Sequence, residues 1–281
     1  MIESARAETP ETVASHYDEL DAFYREIWGL HVHHGYWESG RETSQEATEQ
    51  LLKHLFREVP ISPGANICDI GCGYGETSRY LAKRYRAHVT GYSVSQAQID
   101  LANRMKDDAT GPFLEFHCED WSTNQLPSAS MNVALAIEST EHMPDLRNFF
   151  EQAYRVLKPG GRLQICAWLS KETPSPLEMK WLLEPICSEG RMRLGTPSEY
   201  SRLIEQVGFG SQSFEDVTPR VKKTWTLCLQ RLAWKLLTDS KYARFLIQAP
   251  SRNKMFVQSL LRIRVAYETG SMRYGVFSIT K

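Results

Sequence analysis

Residues 68–77 read Cys-Asp-Ile-Gly-Cys-Gly-Tyr-Gly-Glu-Thr, behind a short apolar run and ahead of an amphipathic stretch. Glycines at 71, 73 and 75 permit a tight turn and let a ligand approach the backbone. The helix start that follows offers unpaired N–H groups, so a polar ligand belongs there. The dinucleotide fingerprint is Gly-x-Gly-x-x-Gly, whereas these glycines fall at every second residue behind Asp69. The next apolar run leads into Gly91-Tyr-Ser-Val-Ser-Gln-Ala-Gln98, without the acid a nicotinamide enzyme uses for its ribose. Ser93 and Gln98 are left to supply those hydrogen bonds. A third run ends in Glu119-Asp120-Trp121, a carboxylate able to accept from an exocyclic amine beside a ring able to lie on a base.

A fourth run is followed by Glu138 and by Glu141-His142. A neutral imidazole there can take a proton from a phenol or amine, with Glu141 orienting it or touching substrate. The competing role for His142 is to cap the loop before Pro144. Glu138 is placed to hold a cofactor's ammonium. His31, His33 and His34 have no carboxylate at metal-ligand spacing, so we read them, with Tyr36 and Trp37, as an aromatic lid and expect no metal. The six cysteines (68, 72, 118, 166, 187, 228) form no Cys-x-x-Cys pair and read as reduced packing residues.

The elements that must position these groups alternate. Strands are expected at 66–71, 88–92, 114–117, 131–137, 162–168 and 274–280, and helices at 76–85, 95–106 and 146–157, the last stopped by Lys158-Pro-Gly-Gly161. Such βα alternation predicts a doubly wound, mostly parallel sheet. Residues 11–58 read as helices, 197–207 as a helix capped by Gly208, and Trp225, Cys228, Leu229, Leu232 and Leu236 fall at helical spacing, as do Phe256, Leu260, Ile263 and Tyr267. The 281 residues suit one α/β domain with additions: a lid at 1–60, a core at 61–215, and a flap with a final strand at 216–281.

A net charge of −1 gives no bulk attraction for nucleic acid, and no Asn-Pro-Pro-Tyr-like motif follows strand four. No stretch approaches a membrane span and none resembles a secretory signal, so a cytoplasmic location is expected. Charge is polarised: residues 1–60 carry 5 Lys/Arg against 12 Asp/Glu, and residues 220–281 carry 13 against 2. This predicts docking of the two ends on each other. Recruitment of an acidic substrate or a peripheral membrane contact stays open, as does a homo-oligomer.

With these motifs in order, the chain resembles the class I S-adenosylmethionine-dependent methyltransferases. Within them Tyr17-Asp18, Ile27-Trp-Gly29, His33-His-Gly-Tyr36, Glu138-Ser139, Glu141-His-Met-Pro-Asp145 and Leu183-Glu-Pro-Ile-Cys187 are similar to the γ-tocopherol methyltransferases. Cyclopropane synthases of mycolic acid share a weaker version. The resemblance implies a seven-stranded Rossmann-like sheet and S-adenosylmethionine as cofactor. It implies Asp69, Gly71, Cys72 and Gly73 along the methionine part, Ser93, Val94 and Gln98 at the ribose side, Asp120 and Trp121 at adenine, and Tyr17 closing over the methionine carboxylate. Methyl transfer from a sulfonium needs no metal.

The rebeccamycin glycosyl O-methyltransferase has His-His where this chain has Glu141-His142, and Asp where this chain has Trp168. A sugar acceptor is therefore disfavoured. Trp168 points to a lipophilic small molecule of secondary metabolism, such as a phenol or prenylated aromatic methylated on oxygen or carbon. An isoprenoid diphosphate carbon or an amine is the alternative, with Arg191, Arg193, Lys222 and Lys223 as candidates to hold a diphosphate. In the flap we expect Trp225, Leu229, Leu232 and Leu236 to cover the acceptor and Arg231 and Lys235 to face water.

Overall fold

A computed structural model describes residues 1–4, 9–242, 244 and 251–281. The side chain of Phe256 lies outside the described residues. Seven strands form one sheet: β1 (Asn66–Ile70), β2 (His88–Ser93), β3 (Leu114–Cys118), β4 (Met131–Ile137), β5 (Leu157–Ser170), β6 (Ser211–Asp216) and β7 (Met272–Thr280). Their order is β3-β2-β1-β4-β5-β7-β6, and β7 alone runs antiparallel to its neighbours. The doubly wound, mostly parallel sheet inferred from βα alternation is the observed one, with the seven strands that the resemblance implies. β4 and the inner parts of β1 and β5 are buried on both faces, which their apolar runs reflect. Val133 and Leu135 join the cluster that holds α2 (Ser44–Leu55) and α3 (Glu76–Tyr85), while Ala134 and Ala136 join Phe149 and Phe150 of α5 (Leu146–Val156) on the other face.

β6 was not foreseen. Its sequence, Ser-Gln-Ser-Phe-Glu-Asp, sits at the sheet edge with most side chains exposed, so it lacks the apolar run that marks the inner strands. At Lys158–Gly161 the chain does not leave the sheet. Leu157 pairs with Met131 and Arg162 with Val133, so the Pro-Gly-Gly segment is an irregularity within β5.

Before the sheet, α1 (Pro10–Phe23) passes into a π-helical turn at Tyr24–Trp28. After β5, the helical run from α6 (Pro176–Glu178) through α7 (Glu184–Gly190), then α8 (Pro197–Val207), α9 (Thr218–Val221), α10 (Lys223–Thr238) and α11 (Ser251–Thr269) precede β7. Trp225, Cys228 and Leu232 of α10 are buried as the helical spacing implied.

Lys235 lies at the surface as expected, but Arg231 does not face open water. Arg231 donates to the carbonyls of Ile27 (3.0 Å) and Trp28 (3.2 Å) and to Ser44 Oγ, and Lys235 pairs with Glu26 at 2.6 Å. Helical periodicity identifies the apolar face, but it does not reveal that Arg231 on the other face lies against the π-helical turn. Arg220 likewise donates to Glu38 O and Lys223 to Gly40 O. The basic flap is thus tied to the acidic N-terminal segment.

Candidate active site

The carboxyl ends of β1 to β4 open onto a cleft with about 990 Å³ of empty space, where open α/β sheets bind ligands. Gly71 turns the chain there at φ 82°. A Cβ on it would lie 2.3 Å from that of Ser139, whose hydroxyl donates to Ile70 O at 2.5 Å. Gly73, at φ 52°, has no atom within 4 Å of the position its Cβ would take, so a side chain would project into the cleft. Asp69 is buried, accepts from Ser78 Oγ at 2.6 Å, and is pushed up to about 6 by burial. Ser93 Oγ donates to Gln98 Oε1 at 2.8 Å, and Ser95 caps α4 (Gln96–Arg104). Asp120 accepts from the amide and hydroxyl of Ser122, which aim its carboxylate, and Trp121 donates to Phe149 O at 3.4 Å.

All eleven residues expected at a cofactor, Tyr17, Asp69, Gly71, Cys72, Gly73, Ser93, Val94, Gln98, Asp120, Trp121 and Glu138, line this one cleft. His142 lines it too. Helix α1 closes over it by adjacent residues. Tyr17 Oη lies 3.0 Å from His142 Nε2, while Asp18 accepts from Ser95 Oγ at 2.5 Å on the opposite bank. His31 and His33 also line the cleft and contact each other at 3.2 Å. Burial keeps both rings neutral, His31 down to about 3. Among the described residues no group of three or more His, Cys, Asp or Glu is placed to hold a metal.

A second cleft, with about 630 Å³ of empty space counting its opening to solvent, adjoins the first, sharing Tyr17, Val32, Glu138 and His142. Its walls are Tyr24, Trp28, Trp168, Ile186, Met192, Trp225, Leu260 and Ile263, with Glu141, Gly190 and Ser259. Trp225 meets Trp28 edge-on at 4.8 Å and Trp168 at 5.3 Å. Arg191, Arg193, Lys222 and Lys223 are not among its lining residues; Lys222 pairs with Glu268 and Arg193 donates to Pro144 O.

His142 stands where the clefts meet. Its Nδ1 lies 3.0 Å from Arg191 O, and since a carbonyl only accepts, Nδ1 carries the proton and Nε2 presents a lone pair. Arg191 O, not Glu141, therefore sets the ring. Glu141 instead accepts from the Trp168 amide, and burial pushes its carboxyl up to about 8.

Glu138, at φ 54°, accepts from His34 N (2.6 Å), His34 Nδ1 (2.9 Å), Tyr274 Oη (2.7 Å) and Trp168 Nε1 (2.8 Å). Burial alone would raise this carboxyl, but the His34 donors outweigh it and the group is lowered. Trp225 Nε1 donates to His34 Nε2 at 2.7 Å, which fixes the Nδ1–H form of that ring. Sequence reasoning missed this hub and the roles of Tyr24, Arg191 and Met192. Their signal is spatial, with no shared spacing to find.

A nucleoside-sized cleft with a glycine turn and a terminal carboxylate, on a 3-2-1-4-5-7-6 sheet, defines the S-adenosylmethionine-dependent methyltransferases. The chain belongs to the mycolic acid cyclopropane synthetase family, which it matches over residues 4–266. It is 33% identical over 224 residues to 27-O-demethylrifamycin SV methyltransferase of Amycolatopsis mediterranei, covering 79% of this chain and 82% of that one. A probable chloroplastic tocopherol O-methyltransferase of Oryza sativa subsp. japonica is 29% identical over 247 residues (82% and 68%). In fold, it superposes with a TM-score of 0.85 on mycolic acid cyclopropane synthase CmaA1 complexed with SAH and CTAB, at 20% identity and 98% and 99% coverage. The [4+2]-cyclase SpnF gives 0.84 at 22% identity (100% and 99%). The protein is an S-adenosylmethionine-dependent methyltransferase.

Proposed function

We propose that the protein methylates a hydroxyl of a lipophilic, ring-bearing small molecule, a phenol or prenylated aromatic foremost. The observation that carries this reading is His142, whose Nδ1 is held by Arg191 O and whose Nε2, now on Tyr17 Oη, stands at the junction of a cofactor cleft and an aromatic-walled acceptor cleft. S-adenosylmethionine, when bound, supplies an activated methyl group on a good leaving group, so positioning and proton removal are the main tasks left to the protein.

The fit to that cofactor rests on the open space in front of Gly73, the paired Ser93 and Gln98, and the Asp120–Trp121 edge. Gly71 to Gly73 would hold its methionine part and Gln98 its ribose. The carboxylate of Glu138, already held by His34, Trp168 and Tyr274, we assign to the wall between the clefts rather than to an ammonium. Tyr17 and Asp18 strap α1 across the cleft and exclude water. Once an acceptor hydroxyl displaces Tyr17 from His142, Nε2 takes its proton. The diphosphate alternative draws no support from the described residues, among which no lysine or arginine lines the acceptor cleft.

The test is turnover of S-adenosylmethionine with a panel of phenols, amines and prenyl diphosphates, read by mass spectrometry. O-methylated phenols are the expected products. Turnover confined to amines or prenyl diphosphates would reject the reading.

A further inference from the structure

The acceptor cleft contains a buried acid that proton removal by His142 does not use. Glu141 is 2% exposed. Its Oε1 accepts from the Trp168 amide, and its own backbone N–H also faces the carboxyl, while Oε2 accepts a long bond from Thr140 Oγ1 at 3.4 Å, whose oxygen in turn accepts from Tyr200 Oη at 2.9 Å. The groups that face it are acids and neutral rings: Glu138 beyond β4, Tyr17 of α1, Cys166 of β5, Tyr200 of α8 and Tyr267 of α11, with His142 on its own turn. Among the described residues no lysine or arginine pairs with it.

A carboxylate without a cation is costly in such surroundings, so the group stays protonated in neutral solution, in keeping with its rise to about 8. A protonated carboxyl has one O–H to give. With Oε1 taken by a short amide bond and Oε2 by only a long one, that proton belongs on Oε2 of a residue that lines the acceptor cleft.

We propose that Glu141 is a neutral hydrogen-bond donor that selects acceptors bearing a second oxygen, a ring carbonyl, quinone or ether, besides the hydroxyl to be methylated. This rests on the acceptor-cleft reading above. An amine is the weaker fit, because an ammonium here would sit beside the cofactor's sulfonium, and like charges at that range repel.

Binding of 1-tetralone and of tetralin, which differ by one carbonyl and do not ionise, tests it. Trp28, Trp168 and Trp225 line the cleft and report binding by fluorescence in protein saturated with S-adenosylhomocysteine. Wild type is expected to favour the ketone by about 3- to 30-fold at pH 6.5 and to lose that preference at pH 9.5. Glu141→Gln, which keeps a donor but cannot ionise, should keep the preference at both pH values, and Glu141→Leu should show it at neither. A wild-type preference unchanged at pH 9.5, or a Leu variant that retains it, overturns the proposal.

So does tighter binding of 1-aminotetralin than of the ketone, which would mark an anionic Glu141. Binding of neither ring compound removes the acceptor-cleft assignment itself. Calorimetry of S-adenosylhomocysteine on the same samples separates that failure from loss of the cofactor site. If the Leu variant does not fold, the Gln variant and the wild-type pH comparison decide alone.

Discussion

Tyr17 and His142, 125 positions apart in sequence, meet at 3.0 Å between Oη and Nε2. Because Arg191 O claims the Nδ1 proton, the phenol must donate and the imidazole accept. Burial drives the Tyr17 phenol well above its usual range, so Tyr17 keeps its proton and the bond is a latch between α1 and the loop after β4. Tyr17→Phe is expected to quicken release of S-adenosylhomocysteine by about 3- to 30-fold, the worth of one such bond. Stopped-flow fluorescence measures it; an unchanged rate would leave the Asp18–Ser95 contact as the sole clasp.

His142→Ala removes the base but leaves the glycine turn intact. Cofactor affinity should stay within a few-fold while kcat falls by about 10- to 1,000-fold. Turnover equal to wild type would reduce His142 to a latch partner and leave catalysis to positioning.

Gly73→Val puts a branched side chain into the space in front of the turn at φ 52°. Binding of S-adenosylmethionine should disappear from calorimetry, with some loss of stability, since a β-branched residue is strained at that angle. Retained binding would mean that the cofactor does not approach this part of the backbone.

Glu141 also leaves a mark on stability. Its folded value of about 8 lies above the ordinary glutamate value of 4.5, so the folded state keeps a proton the unfolded chain releases. The stability this contributes is full below pH about 4.5 and is lost as pH rises through about 8. Glu141→Gln cannot suffer that loss. Its Tm should therefore gain on wild type between pH 5 and pH 8.5, whereas Asp69, raised to about 6, acts alike in both proteins. A constant difference in Tm would show that Glu141 ionises without penalty.

Arg231 and Lys235 sit four residues apart on α10 and should behave differently. Lys235 joins Glu26 at the surface, so Lys235→Gln should change little. Arg231 holds the carbonyls of the turn that carries Trp28 into the acceptor cleft, so Arg231→Gln should weaken acceptor binding several-fold without a salt dependence. Equal effects of the two changes, measured as KM for the acceptor, would argue against this assignment.

The nucleoside side of the site was legible in the sequence because its constraints are local. Alternate glycines, a capping serine and an acid after a strand each declare a backbone conformation within a few residues. The acceptor side was not. Tyr24 and Trp28 of one turn, Met192 and Ser259 reach one cleft from three separate segments, and an aromatic or methionine at helical spacing looks the same whether it meets a ligand or a neighbour. Trp168 and Trp225 were found because each broke a pattern, one by departing from a related sequence and the other by leading an apolar helix face. Arg231 was misread for the converse reason: polarity says that a face is not core, but not which carbonyls it meets.

The position of β7 bears on how the protein is made. The strand lies between β5 and β6 in the sheet, yet β6 ends at Asp216 and β7 begins only at Met272. A chain growing on the ribosome therefore carries β6 with no partner, and a gap beside β5, until residue 280 has been joined. Tyr274, which completes the shell around Glu138, arrives with that strand. The wall between the two clefts is therefore finished only when the sheet closes.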